Sequence, residues 1–156
     1  MSFDIEKFKN GKLSDRTAEV PVPALASFFG KDEKAVFTVR GLTGAELGRS
    51  NEAVSQNKNI AAIAESVVSP DEKEKIEGMR QLLGLSDDVP DDIVKRHTLL
   101  TMGSVEPEID HTTAVKLAES FPLEFYQLTT KILELTGKGK QMGKPKGSGH
   151  KVSKPA

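Results

Sequence analysis

The chain has no cysteine and no tryptophan, and a single tyrosine. Without thiols there are no disulfides, no thiolate metal ligands and no cysteine nucleophile. The first residues, MSFDIEKFKNGK, hold no apolar run of signal-peptide length, and nowhere do apolar residues run to the roughly 18 that a membrane span needs. Hydrophobic residues make up 37% of the 156 and aromatics 5%. That is lean for a globular enzyme, yet richer than a disordered chain. The expectation is one modest core in a soluble intracellular protein with no membrane partner.

Charge of one sign is missing from the end of the chain. Residues 138–156 carry six lysines (138, 140, 144, 146, 151 and 154) and no acid. Residues 1–137 then hold 16 basic against 23 acidic side chains, a net charge near −7 that the overall −1 conceals. The tail, GKGKQMGKPKGSGHKVSKPA from Gly137 on, has only Met142 and Val152 as apolar side chains larger than alanine. It offers too little burial to offset the entropy of ordering, so 138–156 reads as a disordered basic tail on a single domain, 1–137.

What is present reads as mainly helical. TAEVPVPAL alternates Val20 and Val22 with prolines that cannot donate to a ladder, which fits an edge strand. KAVFTVRG places Val36, Thr38 and Arg40 on one side and Phe37 and Val39 on the other. With Gly30 and Asp32 as turn residues, the two make a small hairpin over 17–40, which needs a partner surface to be stable. After Gly41 helices follow. Thr43 and Glu46 form a capping box, and Ser69, Pro70 and Glu72 repeat the device. The second of these helices puts Ile76, Met79 and Leu83 at helical spacing and stops at Gly84. Pro90 opens a helix in which Ile93, His97 and Leu100 share a face up to Gly103. Asp110 caps another that Pro122 ends. In the last, Phe125, Leu128, Ile132 and Leu135 recur at three- and four-residue steps up to Gly137, the strongest periodicity in the chain. The fold expected is mainly α: the N-terminal hairpin packed on five or six short helices, 43–137.

Candidate chemistry is thin. GSVEPEIDHTTAV gathers Glu106, Glu108, Asp110 and His111, but Pro107 keeps Glu106 out of helical geometry and Asp110 stands where an N-cap belongs. The glycine turn and ligand spacing of a hard-metal loop are absent, so the stretch reads as a capped linker with His111 facing solvent. His97 reads as a packed, hydrogen-bonded core histidine. GLTG at 41–44 has the outline of a nucleic-acid clamp loop without a basic side chain, and GKGK lacks the strand and helix of a phosphate loop. No catalytic residue, metal ligand or cofactor site is expected, and the chain is read as a non-enzyme. The lysine tail leaves a second reading, an adaptor associated with nucleic acid, although it has no aromatic to stack on bases and the body is acidic. The last helix carries Leu123, Tyr126 and Leu133 beside its core stripe, and these are the candidate partner-binding residues.

Four blocks carry a resemblance: VFTVRGLTGAELGRSNEAV, NKNIAAIAESV, LLGLSDDVPDDIVKR and GSVEPEIDHTTAVKLAESFPLEFYQLTTKILELTG. In their order, over roughly 35–137, the chain resembles the tail assembly chaperones of long-tailed bacteriophages and prophages. The resemblance implies a mostly helical, non-enzymatic protein of the host cytoplasm, absent from the mature virion. It would bind the tape measure protein, keep it soluble and help recruit tail tube protein, the latter chiefly through a longer frameshifted product. The Gly-Lys pairs at 137–138, 139–140 and 143–144 sit where such a shift would fall. Nucleic acid is not among the implied partners.

Overall fold

The computed structural model describes residues 2–85 and 89–142, and it is mainly α-helical with a small β component. Along the chain come α1 (Ile5–Asn10), β1 (Leu13–Ser14), β2 (Thr17–Pro21), a 3₁₀ helix (Pro23–Phe28) and β3 (Val36–Arg40). There follow α2 (Gly44–Ser66), α3 (Pro70–Leu82), α4 (Asp91–Gly103), β4 (Ser104–Glu106), α5 (His111–Ser120), α6 (Pro122–Lys138) and β5 (Gln141–Met142).

The hairpin forms as its alternation requires. β2 pairs antiparallel with β3 from Thr17↔Arg40 to Pro21↔Val36, with β2 on the edge, where proline costs no ladder bond. Phe37 and Val39 are buried while Val36, Thr38 and Arg40 are half-exposed. The connection is longer than a plain turn. Pro23 opens a 3₁₀ helix that buries Leu25, and Gly30 closes a turn in which the Glu33 carboxylate accepts from the Gly30 N–H at 2.7 Å.

Two parts of the β structure were not expected. β4 adds a third strand beside β3, so the start of the GSVEPEIDH stretch is sheet rather than linker. β5 pairs with β1, Leu13↔Met142 and Ser14↔Gln141, so the first residues assigned to the tail are ordered against the N-terminus. The remainder of that tail, 143–156, lies outside the described residues.

Of the side-chain caps expected, those of Thr43 and Asp110 form and that of Ser69 does not. Thr43 accepts from the Glu46 N–H at 3.2 Å and Glu46 accepts from the Thr43 N–H at 2.9 Å. The Glu46 carboxylate also takes both arms of Arg40, at 2.9 and 2.7 Å. The Arg40 hydrogen bonds, with the Thr43 N–H, hold the Glu46 carboxyl down at about 2. Ser69 precedes α3 but makes no side-chain cap. At the far end of α3 Gly84 stands at φ 69°, and Leu85 N–H reaches the Arg80 carbonyl at 2.7 Å, the hydrogen-bond pattern of a glycine-terminated helix.

The face of α3 is not the one the periodicity predicted. Ile76 and Leu83 are half-buried, Met79 is exposed, and Arg80 is only 3% exposed. Steps of four and three through 76, 80 and 83 turn Arg80 inward, where it meets Glu77 at 2.8 Å, and Met79 is carried about 100° away to the outside.

The core gathers on α6. Phe125, Leu128, Ile132 and Leu135 are all buried, and with Phe37 and Val39, Leu99 and Leu100, Ala114 and Leu117 they form one cluster. Gly103 lets α4 approach closely, since a Cβ there would sit 2.6 Å from Ile132 Cδ1. Leu128 is completely buried at the centre of the stripe. Leu128→Ala is expected to lower unfolding free energy by about 2–5 kcal/mol, read from the shift in a urea denaturation midpoint at constant slope.

Candidate partner-binding surface

Leu123, Tyr126 and Leu133 lie along one side of α6 and meet three different surroundings. Pro122 fixes the start of the helix, and Leu123 in its first turn is 73% exposed. Tyr126 is 41% exposed. Leu133 is half-buried and packs against the core cluster, so it supports the interior as well as any surface.

Tyr126 is held in place from α4. The Arg96 guanidinium lies 4.4 Å from its ring centroid, and its hydroxyl donates to Asp92 at 3.3 Å. Arg96 also donates to Asp92 at 2.8 Å and to the Thr129 and Thr130 hydroxyls at 2.7 and 3.1 Å. Phe125 meets the Tyr126 ring edge-on at 6.1 Å. These contacts fix the Tyr126 rotamer while leaving much of the ring open. An anchor ordered before binding loses less entropy when a partner arrives.

A fourth residue was missed in the sequence. Phe28, at the end of the 3₁₀ helix, is 74% exposed and stands edge-on to Phe121 at 6.1 Å, directly before α6. Its neighbour Phe29 turns the other way and packs on Phe37 at 6.2 Å. Phe28 closes the 3₁₀ helix and Phe29 is its extended C-cap, so the two rings leave the chain in different directions, and no local pattern in the sequence marks which of them stays exposed. Further apolar side chains, Ile63 and Val68 at the end of α2 and Met79 and Leu82 on α3, are also exposed.

The acidic stretch has local structural roles. Glu106 ends β4, and Asp110 accepts from the Thr113 N–H at 2.9 Å as the cap of α5; hydrogen bonding from the Thr113 side chain, and then from its backbone, lowers the Asp110 pKa. His111 does not face solvent as expected. It is half-buried, and its Nε2 donates to the Leu83 carbonyl at 2.8 Å, tying α5 to the end of α3. A carbonyl can only accept, so the proton is on Nε2. Among the described residues no group of three or more His, Asp or Glu could hold a metal ion. His97 is packed as expected, 2% exposed, between His111 and Phe125, each 5.7 Å away ring to ring. The expected hydrogen bond is not made: its Nδ1 is buried without a partner among the described residues. Among those residues, no helix is long and apolar enough to cross a membrane.

Comparisons of the chain with protein-family models, with curated proteins and with solved structures find no match.

The surroundings of His97 set a pH dependence. Burial, and secondarily the neighbouring His111, pull its pKa from 6.5 to about 4. Between those values the unfolded chain binds a proton that the native chain refuses, so stability is complete above pH 6.5 and falls as pH drops toward 4. The loss is on the order of 3 kcal/mol at its greatest. Thermal midpoints recorded from pH 7 to 5, above the range in which most carboxylates titrate, should fall for the native chain and fall less for His97→Leu.

Proposed function

We propose that the chain is a tail assembly chaperone of a long-tailed bacteriophage or prophage. In this reading it binds the tape measure protein in the host cytoplasm, keeps it soluble, helps recruit tail tube subunits, performs no catalysis and is absent from the finished particle. The block-by-block similarity over roughly 35–137 supports the reading. The observation that carries it is the open apolar surface at the start of α6, with Leu123 and Phe28 exposed and Tyr126 already ordered.

Such a surface suits a long helical client. An amphipathic helix can lay its apolar face on Leu123 and the Phe28 ring, with Tyr126 offering a flat contact and a polar tip. Fully burying one leucine or phenylalanine side chain contributes roughly 1.5–3 kcal/mol. A few such contacts, set against the cost of association, give a modest complex that can form at many equivalent places and be displaced during assembly. Charged residues around the patch, among them Glu124 and the Arg96–Asp92 pair, keep the free protein from burying it nonspecifically.

Co-expression with the tape measure protein tests the proposal. The native chain should hold that protein in the soluble fraction. Leu123→Asp, which removes no core contact, should melt within a few degrees of the native chain and leave the tape measure protein in the pellet. Tyr126→Ala should weaken rescue while also losing the Arg96 contact. A folded Leu123→Asp/Tyr126→Ala chain that still rescues solubility would refute this placement of the binding surface.

A further inference from the structure

The two ends of the described chain meet, and they build a pocket that the chaperone reading does not use. Besides the β1–β5 pairing, Arg16 Nε donates to the Gly139 carbonyl at 3.0 Å and its Nη1 reaches Gln141 Oε1 at 3.5 Å. Beside this seam Arg16 and Thr17 face Lys131 and Lys138 of α6, and with Gln141 they line an open pocket of about 240 Å³. No acidic residue lines it. The nearby acids already have cations: Glu134 lies 3.2 Å from Lys131, and Asp15 lies 3.4 Å from Lys140.

Structural duties account for only part of this arrangement. Lys138 in the last turn complements the negative end of α6, and Arg16 ties the two chain ends together. Yet a guanidinium has five N–H donors, and two of those on Arg16 are engaged; three have no partner among the described residues. The planar fork is thus fixed in place with donors to spare, the geometry that suits a tetrahedral oxyanion. The Lys131–Glu134 pair is exposed on both sides, contributes little, and leaves that ammonium able to turn toward a stronger anion. Arg16 and Lys138 alone outweigh the roughly half-charge of the helix terminus, with Lys131 shared with Glu134. Their mutual repulsion is relieved when an anion sits between them.

We propose that this pocket binds a phosphate group, with the Arg16 fork as its principal ligand, Lys131 and Lys138 completing the charge, and the Thr17 hydroxyl and Gln141 amide as neutral donors. At about 30 Å³ of liquid volume per water, the pocket has room for the phosphate and part of its hydration shell. Two sources share this chemistry: a free or small-molecule phosphate, or the backbone phosphate of a nucleic acid. The inference stands apart from the chaperone reading, since neither Leu123 nor Tyr126 contributes to the pocket.

Backbone-amide NMR of the full chain, titrated with inorganic phosphate at constant ionic strength, tests it. Saturable shifts at Thr17, Lys138 and Gln141 with a roughly millimolar dissociation constant are expected. Lys131→Gln/Lys138→Gln should weaken binding by about tenfold or more, whereas Lys151→Gln/Lys154→Gln, equal in charge removed, should change it less than about twofold. Should the double substitution disturb folding, Lys138→Gln alone supplies the comparison. A short oligothymidylate at equal phosphate concentration separates the sources. Tighter, salt-dependent binding that moves the same amides identifies a backbone phosphate; no gain over inorganic phosphate identifies the small anion. Absence of a saturable shift, or equal weakening by both lysine pairs, would overturn the pocket as a site.

Discussion

Phe125, Leu128, Ile132 and Leu135 form the strip on which the sheet and the helices close together. β2, β3, α4 and α5 pack on α6, and α2 is held through α4. β3 brings Phe37 and Val39 to the cluster, α4 brings Leu99 and Leu100, and α5 brings Ala114 and Leu117. Close approach depends on what is missing as much as on what is present. A side chain at Gly41 would meet the Leu135 carbonyl at 2.9 Å, and one at Gly103 would meet Ile132. Thr129 sits in the same helix, wholly buried, with its hydroxyl donating to the Phe125 carbonyl and accepting from Arg96. The strip therefore fixes the core, and through Thr129 and Arg96 it also fixes the exposed Tyr126 ring.

The long helix α2 is held differently. Its buried positions Ser50, Asn57 and Ala64 recur every seven residues, with Leu47, Val54 and Ala61 half-buried between them. Small and polar side chains on that seam let α2 lie close to α4 but bury little apolar area. The Asn57 carbonyl oxygen is buried without a partner among the described residues, a further cost along this face. α3 follows on a still lighter footing, resting on Ile76, Arg80 and Leu83, with the His111 bond to the Leu83 carbonyl closing its end. Stability is thus graded from α6 outward to α3.

That gradient also explains what the sequence disclosed. The α6 stripe, the β3 alternation, the Thr43 box and the Asp110 cap were legible because each is a local pattern with one dominant physical cause. The full length of α2 was not, since a seam of serine, asparagine and alanine has no apolar period to read. Arg80 defeated the pattern on α3 because a charged side chain that the fold buries looks, in sequence, like a surface residue. β4, the β1–β5 pairing and the turn of His111 toward Leu83 are products of long-range closure, joining positions up to 129 apart, and no window of local sequence contains them. Of the candidate surface, Leu123 and Tyr126 were legible as apolar positions off the core stripe, whereas Phe28 becomes its neighbour only once the 3₁₀ helix has folded against Phe121.

Three of the regions that expose apolar residues differ in how firmly the fold holds them. α1 has no buried residue, and its Phe8 ring meets that of Phe3, just before the helix, at 5.4 Å. Met79 and Leu82 ride on the lightly packed α3. Leu123 and Tyr126, by contrast, project from the helix that organises the core, and Phe28 is braced by Phe121 at its base. A partner meeting either of the first two regions must also order the element that carries it, and that entropy subtracts from binding. A partner meeting the third finds a surface whose backbone and principal aromatic ring are already set. Equal areas of apolar surface are therefore not equal sites, and the firmness of α6 is the reason its N-terminal end is the surface we propose for a partner.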